Sequence, residues 1–244
     1  MLPNRELANR GTLFWHRTKE VPGGGAYQDY VIKNGELVGD FDGLYREFDD
    51  PWHQSREDHV ADTRRAIAIN YCSRLRSAQG DQQVSRVLEY GCGFGHLTDT
   101  LRQRGFSAIG VDIADEAIRK ARAKNPSSVF LTRSFEDPTL LSDLDPDVIV
   151  MAEITWYVLE HIAGFKERLQ AHAARRDRPT YLIHLLTTYA PGVQKYGTEY
   201  FTDLEGILAY FNLDYLESGL ISFPRSDDPM SRGTYFIGRV SGSG

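Results

Sequence analysis

The sequence predicts an α/β protein organised on one mostly parallel sheet, and three observations predict it. The first is Arg86-Val87-Leu88-Glu89-Tyr90-Gly91-Cys92-Gly93-Phe94-Gly95-His96-Leu97, an apolar run that enters a glycine loop and then a helix. Val87 and Leu88 suit a strand buried on both faces, and three alternating glycines let the backbone turn sharply and sit against a ligand where a Cβ would clash. The second is Ala108-Ile109-Gly110-Val111-Asp112, which follows the helix of Leu97 and Leu101 and completes a βαβ unit with a carboxylate at the second strand's carboxyl end. The third is a C-terminal pair of strands, 214–221 and 235–240, that forms an antiparallel hairpin after five βα units.

Each element has its own signal. Residues 1 to about 25 have weak periodicity and end in Pro22-Gly23-Gly24-Gly25, a flexible loop with no strand before it and no helix after it to make it a phosphate site. From Tyr27 to Val38 the chain alternates around Asn34-Gly35, a hairpin signal because a type I′ turn needs positive φ at both central residues. The aromatics of the 41–54 segment fall at helical spacing until Pro51 stops the helix. Phe41, Tyr45 and Phe48 suit a surface helix docked on the core, whereas Trp52, just past the stop, is placed to seal a pocket. Residues 57 to about 77 follow a helical pattern through Val60, Ala61, Ile67, Tyr71 and Leu75, and a turn containing Gly80 leads into the first core strand.

Past Asp112, residues 115–124 favour helix and Asn125-Pro126 ends it. Val129-Phe130-Leu131 is a third strand, the 145–152 run a fourth, and 180–186 a fifth interrupted by His184. Asp203 caps a helix through Ile207 and Phe211, and the polar Ser226-Asp227-Asp228-Pro229 loop joins the last two strands. The sum is a Rossmann-like, seven-stranded, mostly parallel sheet with an antiparallel C-terminal hairpin, helices on both faces and an N-terminal lid extension. The expected organisation is an extension and lid over 1–56, the α/β domain over 57–240, and a disordered tail over 241–244.

Composition narrows the class. A chain of 244 residues can bury a substantial core, and a net charge of -6 argues against nucleic acid or an anionic membrane as the main partner, since both need a basic face. The expectation is a small-molecule acceptor and a monomer or homodimer. Only Cys72 and Cys92 are present, without paired spacing, so a reducing, cytoplasmic setting is expected and neither a disulfide framework nor a thiolate zinc site is indicated. No apolar run approaches a membrane span, and the seven histidines and the acids do not cluster at metal-ligand spacing. No metal is expected.

The glycine spacing separates two cofactor classes. The nicotinamide fingerprint is G-x-G-x-x-G. Here the third glycine comes one residue early, and Glu89 stands two residues ahead of Gly91-x-Gly93-x-Gly95. This resembles motif I of the class I S-adenosylmethionine-dependent methyltransferases, and Asp112 resembles their ribose-binding acid. The resemblance implies S-adenosylmethionine as cofactor and S-adenosylhomocysteine as product, held by Glu89, Gly91, Gly93, Gly95, Asp112, Ile113 and Ala152. It places Ser134, Phe135 and Glu136 around the adenine, with Glu136 accepting from the exocyclic amine; the alternative for Glu136 is a solvated acidic turn before Pro138. The Asp50-Pro51-Trp52 triplet resembles the N-terminal region of the nodulation-factor N-methyltransferases and related sugar-modifying enzymes, which implies Trp52 and Arg56 as lid contacts over the cofactor. The likeness covers residues 85 to 155 well and the ends loosely.

Catalysis is expected at the carboxyl end of the fourth strand, where open α/β sheets bind ligands. Glu153 stands there, followed by Trp156 and Tyr157, and the nodulation group has a similar Glu and aromatic pair. An acid in that position needs a partner to be desolvated, and an amine or hydroxyl of the acceptor is the expected one. For an amine, Glu153 would orient the nitrogen; for a hydroxyl, His184 is the better base. Tyr157 either lines the acceptor site or packs on the sheet, and His184 is otherwise a satisfied core group. Tyr189, Tyr196 and Tyr200 offer a further lining. An NAD(P)-dependent oxidoreductase is disfavoured by the early third glycine and the terminal strand pair, and a non-catalytic cofactor-binding protein of the same fold is the remaining alternative.

Overall fold

The computed structural model describes residues 27–33, 36–52, 54, 59–78, 84–189, 192, 194, 196–221 and 231–241. The 22–25 loop, the Asn34-Gly35 turn, Arg56, the 226–229 connection and the 242–244 tail lie outside the described residues. A short 3-10 turn, Tyr27–Asp29, leads into a two-stranded antiparallel ribbon of β1 (Ile32–Lys33) and β2 (Glu36–Leu37). Helix α1 (Phe41–Glu47) follows, its first turn capped where the Asp40 carboxylate accepts from the Gly43 N–H at 2.9 Å. Helix α2 (His59–Ala78) precedes the sheet.

The sheet comprises β3 (Arg86–Tyr90), β4 (Ser107–Asp112), β5 (Val129–Thr132), β6 (Val148–Ala152), β7 (Thr180–Tyr189), β8 (Asp214–Ile221) and β9 (Ser231–Val240). Its order is β5-β4-β3-β6-β7-β9-β8, with β9 antiparallel to both neighbours and the other pairs parallel. Helices α3 (His96–Gln103), α4 (Asp115–Lys124), α5 (Leu140–Leu144), α6 (Ile162–Ala174) and α7 (Leu204–Phe211) complete the fold. This is the seven-stranded architecture with an antiparallel C-terminal pair that the sequence predicts. Two strands run longer than expected: β7 continues to Tyr189, and β9 begins at Ser231, where it pairs with Tyr189. Asp203 caps α7 as expected, accepting from the Gly206 N–H at 2.8 Å.

Period-two burial explains why the central strands read as unbroken apolar runs. Along β6, Val148 and Val150 join one buried cluster with Ala68, Cys72 and Leu101, while Ile149 and Met151 join another with Phe165 and Phe211. Each fully buried aliphatic or aromatic side chain contributes about 1.5–3 kcal/mol, so a polar residue on either face of β6 is costly. Among the described residues no helix is long and apolar enough to cross a membrane.

The topology places one crevice. From β3 the chain builds outward through β4 and β5, then returns to β6 on the other side of β3. At that switch point the connections leave in opposite directions, and the carboxyl ends of β3 and β6 open between them. A cavity of about 60 Å³ at the opposite, amino-terminal edge, lined by Arg86, Ser107 and Pro146, holds only a few waters and is far below the size of a ligand cleft.

Candidate cofactor and acceptor site

The glycine loop runs from the end of β3 into the first turn of α3, and Gly91, Gly93 and Gly95 all take positive φ, at 64°, 51° and 74°. Close approach makes two of them obligatory. A Cβ on Gly91 would lie 2.2 Å from Ile154 Cγ2, and one on Gly95 would lie 2.2 Å from the Phe130 ring. The loop therefore packs tightly against the segment after β6 and against β5, with its backbone facing the crevice.

Asp112 ends β4 beside this loop. Its Oδ2 accepts from the Gly93 N–H at 3.0 Å and its Oδ1 from the Ala114 N–H at 3.0 Å. Burial pushes its pKa up, and the backbone N–H donors pull it back toward the charged form. A carboxylate has about four lone-pair sites, more than these backbone donors occupy. The carboxylate thus sets both the loop and the start of α4. Ile113, immediately beyond it, is 58% exposed, an apolar side chain left uncovered beside the acid.

Glu89 lies under the loop, where the Thr98 hydroxyl donates to its Oε2. Burial raises its pKa to about 7, against the pull of the Thr98 bonds. It ties α3 to β3.

The adenine-edge expectations divide. Ser134 is half-buried and its Oγ accepts from the Glu136 N–H at 3.2 Å. Glu136 is exposed with Oε1 3.0 Å from His161 Nδ1, so its carboxylate is engaged by a side chain that the sequence left unassigned. The Phe135 ring is buried against Tyr90 and Phe165, with centroids 5.1 and 4.8 Å away. Ala152 ends β6, half-buried, where the expectation put it.

Beyond Ala152 the backbone turns sharply, with Glu153 at φ 63°. Its Oε2 accepts from the Thr187 N–H at 3.1 Å and its Oε1 lies 3.0 Å from Arg64 Nε. Besides the acceptor group expected as its partner, this acid has a guanidinium supplied by α2. Tyr157 is half-buried, and its ring meets Phe41 at 5.4 Å and Trp52 at 5.5 Å. Burial first, then the neighbouring Tyr27 and Glu153, keep its phenol protonated, so it serves as a packing and hydrogen-bonding group and not as a base.

Trp52 joins the N-terminal segment to the site. Besides Tyr157 it meets Tyr27 edge-on at 5.2 Å. Helix α1 behind it is docked on α4: the Asp42 carboxylate accepts from the Glu116 N–H at 2.8 Å, and Lys120 Nζ donates to the Tyr45 and Phe48 carbonyls at 2.6 and 3.1 Å. Each contact satisfies a helix-end group that has no partner within its own helix. Gln54 goes further, its Oε1 accepting from the Phe94 N–H of the glycine loop at 3.0 Å, and a Cβ on Gly93 would collide with it at 2.4 Å. Sequence reading missed Gln54, Arg64 and Thr187. None carries a local signal, since each acts on a residue distant in the chain.

His184 takes the core position that was the other reading of this residue. Its ring is fully buried, stacked on Phe236 at 4.9 Å, and Nε2 lies 2.7 Å from Thr155 Oγ1. Burial lowers its pKa to about 3. It is a neutral core histidine without access to an acceptor. The unfolded chain protonates this residue near pH 6.5 and the folded one only near pH 3. Its stabilisation is therefore complete above about pH 6.5 and is lost as the pH falls toward 3, at about 1.4 kcal/mol per unit. Urea unfolding at pH 7 and pH 5 should show a loss that is smaller by about 2 kcal/mol in His184→Gln. Equal losses in both proteins would mean the ring reaches solvent.

A strand, glycine loop and helix with an acid ending the neighbouring strand define a protein that binds a nucleoside-bearing cofactor. Residues 62–219, more than half of the chain, match the model of the methyltransferase domain family, and the chain belongs to that family. Over 87 residues it is 29% identical to malonyl-[acyl-carrier protein] O-methyltransferase of Hamiltonella defensa, covering 36% of this chain and 34% of that protein. It is 30% identical over 146 residues to nodulation protein S of Azorhizobium caulinodans, covering 58% of this chain and 64% of that one. The chain thus spans less than two thirds of either curated relative. Its fold is similar to that of the N-methyltransferase NodS from Bradyrhizobium japonicum WM9 in complex with S-adenosyl-L-homocysteine, at a TM-score of 0.54 and 19% identity over 78% of this chain and 93% of that one. Family and fold together make it a class I methyltransferase, the class for which S-adenosylmethionine is the expected cofactor. The glycine loop, with no room for a Cβ at Gly91 or Gly95, and the spare lone pairs of Asp112 fit that cofactor.

Proposed function

We propose that the enzyme methylates an amine or hydroxyl of a small molecule, a sugar or glycoside in the first instance. The observation that carries this reading is the Glu153 carboxylate at the carboxyl end of β6, at the same switch-point crevice as the glycine loop and next to the aromatic group of Tyr27, Trp52 and Tyr157. The cofactor supplies, when bound, a methyl group on a sulfonium sulfur. Glu153 accepts a hydrogen bond from the acceptor's N–H or O–H and so aims a lone pair along the line of displacement. The aromatic rings exclude water and offer flat faces to a sugar. Positioning of this kind contributes several kcal/mol to such a displacement.

The names of the relatives support both branches: one is an O-methyltransferase and one fold neighbour an N-methyltransferase. An acid with a fixed partner and a core-buried His184 favour the amine, which needs orientation more than a strong base. We place α1, Trp52 and Gln54 in the lid, on the strength of the contacts of α1 with α4 and of Gln54 with the glycine loop. A net charge of -6 and two unpaired thiols support a cytoplasmic enzyme acting on small molecules and not on nucleic acid. The test is transfer of a labelled methyl from S-adenosylmethionine to a panel of glucosamine, chitosan oligosaccharides, methyl glycosides, and simple amines and alcohols. Labelled amino sugars are the expected products. Transfer to none of the panel would overturn this reading.

A further inference from the structure

We propose that Arg64 is a positioning residue for methyl transfer, fixing the Glu153 carboxylate at the mouth of the crevice; this rests on the reading of Glu153 as the group that meets the acceptor. The backbone makes the first point. Among the described residues three non-glycines have positive φ, Asp145, Glu153 and Asn212. Asp145 and Asn212 end helices α5 and α7, where a left-handed residue is ordinary. Glu153 ends a strand, so no helix stop accounts for its φ of 63°. A strained residue of this kind persists only when its surroundings hold it, and such residues gather at active sites.

What holds it is a clamp from two elements, β7 and α2. Its own N–H donates to the Leu185 carbonyl at 2.9 Å, anchoring the turn to β7. The Thr187 N–H donates to Oε2 at 3.1 Å, and Arg64 Nη2 donates to Thr187 Oγ1 at 2.6 Å. Arg64 Nε lies 3.0 Å from Oε1, a charge contact that lacks hydrogen-bond alignment. The guanidinium thus grips both sides of the turn. Lysine has a single point charge and cannot do both. The side chains are 18% and 33% exposed, so the pair lies at the rim with the carboxylate the more open of the two.

In the transfer, a bond forms between the acceptor nitrogen and the methyl carbon while the carbon–sulfur bond breaks and its electron pair returns to sulfur. The surplus proton on nitrogen leaves to water. Glu153 remains a carboxylate throughout, and Arg64 keeps it from swinging out of line.

The test is a double-mutant cycle on whichever panel member turns over fastest, reading kcat and KM separately for Arg64→Met, Glu153→Gln and the double variant, with thermal melts to confirm folding. Arg64→Met should lower kcat about ten- to a hundredfold with the KM for S-adenosylmethionine within about twofold, and the double variant should lose no more than the worse single. Arg64→Lys should recover part of kcat. Unchanged kcat in Arg64→Met with slow Glu153→Gln, or losses that multiply in the double variant, would overturn the role of Arg64 alone. Full activity in Glu153→Gln would overturn the reading of Glu153 and this inference with it.

Discussion

Gly95→Ala should unfold well below the wild-type temperature and lose cofactor binding with it. Gly95 is the N-cap of α3 at φ 74°, and its missing Cβ would sit 2.2 Å from the ring of Phe130, itself 2% exposed. Left-handed strain in a non-glycine costs about 1–3 kcal/mol. Overpacking against a ring that cannot retreat costs about 1–3 kcal/mol more. For a domain of this size the two together lower Tm by on the order of 10 °C. The loop is the expected cradle, and any relief it finds by shifting moves the Gly93 and Phe94 amides away from their partners. Scanning calorimetry measures the first effect and titration calorimetry the second. An unchanged Tm would show that Phe130 does not press on this glycine.

Asp112→Asn should weaken S-adenosylmethionine binding about ten- to a hundredfold, or roughly 1.5–3 kcal/mol. Part of that loss is direct, because the ribose hydroxyls give up a charged acceptor. Part is structural. Asp112 accepts from both the Gly93 and the Ala114 N–H, and an amide has one acceptor oxygen where the carboxylate has two. One buried N–H is left facing an NH₂ group, so the loop loosens and Tm falls modestly as affinity drops. Wild-type affinity in a folded Asp112→Asn protein would remove this residue from the site.

The sheet and its glycine loop were legible in the sequence because both are written in short-range pattern. Apolar runs such as Val148-Ile149-Val150-Met151 mark strands covered on both faces, and three glycines at alternate positions after a strand mark a turn that bare backbone must line. Asp203 before an amphipathic stretch declared its helix cap, and Asp112 declared itself by ending a strand beside the loop. Helix α5, of only five residues, is too short to show a period and escaped notice.

The chemistry of the site was decided by tertiary structure. Whether His184 is a base or a core group depends on Phe211 and Phe236, which close over its ring from later in the chain. Phe135 turned inward for the same reason, finding Tyr90 and Phe165. The partner of Glu153 comes from α2, before the first core strand, and the partner of the Phe94 N–H is Gln54, 40 residues earlier. Periodicity and propensity act over a few residues and determine what each segment becomes. Burial and charge pairing act across the packed interior, where a polar side chain takes whichever partner the fold brings within about 3 Å. The sequence by itself determined the fold, the glycine loop and the acid at its edge; the three-dimensional packing determined which of its titratable groups are buried and which are paired.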